Sequence, residues 1–162
     1  MYALGLNPTQ VWTSSETPSH AVGTLVADRD GKIYRMVKAD AGGITAAGYV
    51  CLIKPSGSAD MIETTNSAPG TGVGMAVGVA MAAVAASGYG WLCVYGQGVP
   101  TRVNASCAAG TRLNTTATAG QLDDDGTAGA EQVIGISLEA ARGGTAGTAN
   151  ASLNFPSVSV TL

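Results

Sequence analysis

Charge is scarce: Lys, Arg, Asp and Glu together make up 12% of the 162 residues, about half the usual share. The net charge is −3 and no cluster of Lys and Arg occurs, so the phosphate neutralisation that nucleic-acid binding needs is not expected. Aromatic residues make up 5% and Phe occurs once, so few side chains can bury a large area. Histidine also occurs once, as His20 in the Pro18-Ser19-His20 stretch, away from any framed Ser or Cys nucleophile. The three cysteines, Cys51, Cys93 and Cys107, form no Cys-x-x-Cys pair and offer no zinc spacing. They are expected to be buried thiols, a Cys93–Cys107 bridge being the alternative. The longest apolar run, Val73 to Ala86, is roughly 14 residues and too short to span a bilayer. The opening Met1–Pro8 has neither a basic nor an apolar stretch, so no secretory signal is expected.

What is abundant is small and apolar. Hydrophobic residues reach 46%, with 23 Gly and a mean hydropathy of +0.23, carried largely by Ala and Val. At ~25 cal/mol per Å², such side chains each stabilise a core only modestly. A monomer so built is thin-cored, and burial between subunits is the expected remedy.

Residues 1–20 read as an extended arm. Asn7-Pro8 and Thr17-Pro18 oppose a long helix, yet Leu4, Leu6, Val11 and Trp12 are spread along the segment as apolar anchors. Residues 21–162 read as a single β-rich domain. Gly23–Ala27 and Lys32–Lys38 flank Asp30-Gly31, a hairpin signal. Strands are expected at Tyr49–Ile53 and Met61–Thr64. Another is expected at Val73–Met81, where large residues alternate with Gly or Ala and the small face invites close backbone approach. Tyr89–Tyr95 is expected to turn at Gly96-Gln97-Gly98 and return as Val99–Val103. Tyr89, Trp91 and Tyr95 share one face of it, as core or subunit interface. Further strands are expected at Thr111–Leu113, Gln132–Leu138 and Ala151–Phe155. The pattern predicts an all-β fold, a small antiparallel β-barrel or β-sandwich with an extended N-terminal arm.

Chemistry-bearing motifs are weak. Gly70-Thr71-Gly72-Val73-Gly74 has Met75 where a dinucleotide loop needs its third glycine, and no Lys-Ser/Thr follows. Gly135-Ile136-Ser137-Leu138-Glu139 lacks the second glycine of a nucleophile elbow. Asp123-Asp124-Asp125-Gly126 and Asp28-Arg29-Asp30-Gly31 read as exposed turns, with calcium binding the alternative. Asp60, Glu63, Glu131 and Glu139 could in principle pair for glycoside hydrolysis, but aromatics are few. No catalytic residue, cofactor or metal is expected.

The motif order resembles a known family. Val22-Gly23-Thr24-Leu25, Asp30–Ala39, Ile44–Gly48, Gly88–Val94, Ala105–Leu113, Thr115–Asp124, Ile134-Gly135-Ile136 and Leu153-Asn154-Phe155-Pro156 resemble head decoration (capsid cement) proteins of tailed bacteriophages. The resemblance covers roughly residues 20–156 and rests on turns and strands. It implies a structural virion protein, synthesised in the host cytoplasm. Bound to the major capsid protein lattice on the outer surface of the head, as a homotrimer, it would stabilise the shell against internal DNA pressure. The arm anchors Leu4, Leu6, Val11 and Trp12 would then dock on the capsid. No enzyme activity, nucleic-acid partner or membrane is implied. The alternative is a tail-associated or glycan-binding module, with Tyr89, Trp91 and Tyr95 stacking on sugar rings.

Overall fold

A computed structural model describes residues 6–160. The strands are β1 (Leu25–Ala27), β2 (Ile33–Ala39), β3 (Val50–Ile53), β4 (Ser58–Met61), β5 (Ala76–Ala80), β6 (Tyr89–Val103), β7 (Leu113–Thr115), β8 (Leu122–Asp123), β9 (Gln132–Leu138) and β10 (Gly147–Ser159). One helical turn, α1 (Thr64–Ser67), interrupts them. The fold is thus nearly all β.

The strands form one ten-stranded sheet in the order β1-β2-β4-β3-β5-β10-β6-β8-β7-β9, with β6 also pairing β2 and β5, and β10 also pairing β9. These extra pairings close three circuits, β2-β4-β3-β5-β6, β5-β10-β6 and β6-β8-β7-β9-β10, which share β6. The sheet is mixed rather than purely antiparallel: β2 runs parallel to β4, and β6 parallel to β8. In the first case β3 doubles back tightly through Lys54–Gly57, which leaves β4 running alongside β2.

Two apolar clusters lie on opposite faces of β6. Trp91 and Cys93 join Tyr34, Met36, Leu52, Val77 and Leu122 in the larger one. Leu92 and Val94 join Val37, Ile53, Ala80 and Val84 in the smaller. β2 divides in the same way. The expected Asp-Gly hairpin forms, with Leu25 opposite Arg35. Gly78 on β5 shows why small residues are required: a Cβ there would sit 2.8 Å from Leu92 Cβ and 3.2 Å from the Cys93 carbonyl.

Three expectations are corrected. Gly96-Gln97-Gly98 does not reverse the chain, because β6 continues for 15 residues with Gly96 at φ 132° inside a bulge. The strand placed at Met61–Thr64 lies earlier, at Ser58–Met61. It stops because the Glu63 N–H donates to Asn66 Oδ1 at 2.9 Å and starts α1. The Val73–Met81 strand begins only at Ala76, after a turn through Gly74.

Gly78→Val should therefore destabilise the protein by about 1–3 kcal/mol through overpacking against β6. Urea unfolding of the purified variant measures this directly, and an unchanged midpoint would contradict the packing.

Candidate functional site

Strand β6 meets its neighbours in unequal registers, and the mismatches gather in one place. Ile33 faces Tyr95 while Tyr34 faces Cys93, so β6 carries one extra residue there. A bulge of this kind breaks the two-residue alternation, and it separates Tyr95 from the face of Trp91 and Cys93. Farther along, Gly96 faces Leu153 and Val99 faces Ala151, a second extra residue on β6. On β10 the step from Leu153 to Ser157 spans only Ile136 to Ile134 of β9, so two residues are extruded. Within that bulge Phe155 sits at φ 47°. A bulky residue held in the left-handed region costs about 1–3 kcal/mol, and such strain concentrates at functional sites.

The bulges present an aromatic ridge. Tyr95 and Phe155 lie with ring centroids 5.5 Å apart, and they remain 40% and 51% exposed. On one side an open cleft of about 950 Å³ is lined by Asp30, Lys32, Tyr95, Gln97, Ser137 and Asn154 among others. On the other, a pocket of about 160 Å³ lies between Leu25, Arg35, Val94, Phe155 and Pro156. Leu25 is itself 54% exposed. Arg35 Nε is buried without a hydrogen-bond acceptor, which costs about 1–3 kcal/mol or more for a charged donor.

Glu139 staples the bulges together. Its Oε1 accepts the Gly98 N–H at 2.7 Å and the Ser152 hydroxyl at 2.8 Å. The Gly98 hydrogen bond first, and the Ser152 one second, hold its carboxyl below the ordinary value of 4.5.

The residues singled out in the sequence are scattered. Trp91 is core, 2% exposed, with the His20 ring edge-on at 5.1 Å. Tyr89 is half-buried and exchanges two backbone hydrogen bonds with Trp12, of 2.8 and 2.9 Å. Tyr95 alone of the three is presented to solvent, so they form no common stacking platform. Leu4 lies outside the described residues. Leu6 and Trp12 pack against the chain's own core, while Val11 is 43% exposed. The segment thus touches the body at Leu6, Trp12 and His20, and two of the anchors are already engaged there. Leu25, Arg35 and the exposed Phe155 belong to no sequence motif that marks a site. The signal available was a lone Phe before Pro156, in a strand whose alternation that proline interrupts.

The acidic run is not an exposed turn. Asp123 is buried and accepts hydrogen bonds from Asn104 Nδ2 at 2.6 Å and Cys107 Sγ at 3.4 Å, while Asp124 accepts the Ala108 N–H at 2.8 Å. One Sγ and two carboxylate oxygens here lie within 4.8 Å of one another, close enough to suit a cation. All three groups are already committed to the clasp between residues 104–108 and 123–125. Burial, reinforced by the neighbouring Asp123, pushes the Cys107 thiol up to about 12. Burial likewise raises Cys93 to about 11 and Cys51 further. All three thiols are free, so the alternative Cys93–Cys107 bridge does not form. The other acidic motif closes its hairpin: Asp28 accepts the Asp30 and Lys32 N–H groups and the Tyr34 hydroxyl.

Two outcomes follow for the isolated protein. Thiol titration at neutral pH should find no reactive cysteine in the native state and three after unfolding, and a fast native thiol would contradict the burial. Because folding lowers the Glu139 value, its contribution is present above 4.5 and is lost as pH falls through the folded value. Glu139→Gln should therefore lower Tm at pH 7 and converge with the wild type near pH 3. An equal difference at both pH values would count against the staple. Compared with known proteins, the chain matches no family model and no curated protein.

Proposed function

We propose that the protein is a structural virion component, a capsid decoration (cement) protein. It binds the major capsid protein lattice on the outer surface of a phage head, as a homotrimer, and stabilises the shell against internal DNA pressure. The observation that carries this reading is the Tyr95–Phe155 ridge: two aromatic rings kept in water at the cost of a strained backbone. Exposed aromatics are poor for solubility, whereas buried at the centre of a contact they are typical anchors, each worth ~2 kcal/mol or more. The motif-order resemblance to head decoration proteins points the same way. Three linked copies would multiply modest contacts into tight attachment, since each further contact forms at high effective concentration.

The ridge, rather than the N-terminal segment, is the contact surface in this proposal. Trp12 and Leu6 serve the chain's own core, and Val11 is the exposed residue of that group. The glycan-binding alternative retains Tyr95 and the polar cleft beside it. A glycan array with purified protein addresses that reading, and binding there without head binding would favour it.

The test is sedimentation of the protein with heads that lack it. Tyr95→Ser and Phe155→Gly should each weaken binding by about tenfold or more. Phe155→Gly should also leave stability within about 0.5 kcal/mol of wild type, because relief of the left-handed strain offsets the lost ring contact. Failure of the wild type to bind heads would overturn the proposal.

A further inference from the structure

The small pocket beside the ridge has a specific chemical deficiency. Its walls are mostly apolar, from Leu25, Ala76, Val94, Phe155 and Pro156, with Ser157 and the one charged residue, Arg35, completing the lining. Arg35 Nε is buried and has no acceptor, and among the described residues the salt bridge joins Lys54 and Asp40 instead. Arg102 is a useful contrast. Its Nε is also without an acceptor, but its guanidinium lies 4.9 Å over the Tyr49 ring, which covers the cation. Among the described residues, no ring covers Arg35 in this way. A half-buried guanidinium in an apolar recess is complementary to a carboxylate, which it can grip through parallel N–H donors.

We infer that this pocket receives an acidic-apolar element of the capsid subunit: an aspartate or glutamate that pairs with Arg35, next to an apolar side chain that packs on Leu25 and Phe155. The inference rests on the decoration reading and specifies the partner chemistry of that contact. A volume of about 160 Å³ suits one side chain rather than a helix or strand. Leu25 and Phe155, exposed at its mouth, supply the apolar half of the contact, and the strained φ of Phe155 keeps the mouth in shape. The chain is −3 overall, so the attraction for an acidic segment has to come from this cation locally.

The register provides an internal test. Leu25 lies directly opposite Arg35 across the β1–β2 ladder, at the distance where opposite charges interact. Leu25→Glu should give Arg35 an acceptor within the chain, raising Tm at low salt while blocking the pocket. Arg35→Gln removes the cation, and its Tm reports whether the fold survives. Both variants and the wild type are titrated onto heads lacking the protein. The expected result is a loss of about tenfold or more in both variants, a wild-type affinity that falls as NaCl rises, and an Arg35→Gln affinity that does not. Heads that bind all three proteins equally would overturn the inference and leave the decoration reading standing. Heads that bind none, the wild type included, would remove both.

Discussion

Everything in this fold depends on burying both faces of β6. The strand pairs with β2, β5, β8 and β10 and carries Trp91 and Cys93 into one cluster while Leu92 and Val94 enter the other. Two-sided burial of one strand leaves little room around it. That requirement bears on the composition: Gly78 must be a glycine because a Cβ there would run into Leu92 and Cys93 of β6. Small side chains, which look like weakness in a count of hydrophobic area, are what permit the pairing circuits to close around β6.

The same constraint generates the candidate site. A long strand shared by several partners cannot keep one register with all of them, and the differences appear as bulges at Val94–Gly98 and at Asn154–Pro156. Bulges re-aim side chains. Here they turn Tyr95 out of the core face and hold Phe155 in solvent, with Glu139 fixing the geometry through Gly98 and Ser152. The surface is therefore a product of the scaffold's frustration.

Much of the scaffold is legible in the sequence. The alternating run at Ile33–Val37, the continuous apolar run at Val50–Ile53 and the run at Gln132–Leu138 are strands, and Asp30-Gly31 marks its hairpin, because local pattern and turn chemistry decide those elements. The Gly/Ala face of β5 likewise announced a close approach. What local pattern cannot encode is register between distant strands. Gly96-Gln97-Gly98 carries turn residues and becomes a bulge because β10 continues alongside it. Trp12 and Tyr89 read as separate interface candidates, yet they pair with one another across 77 positions of chain. Asp123 looks like part of a solvated acidic turn until Asn104 and Cys107 are brought to it. The site was the least legible part, since Leu25, Arg35 and Phe155 come together through the sheet and share no motif.

A cryo-electron microscopy reconstruction of the phage particle tests the central claim most directly. It should show the protein in many copies on the outside of the head, with Tyr95, Phe155 and the Arg35 pocket turned toward the capsid shell. Density confined to the tail, or on the head with that face pointing into solvent, would contradict it.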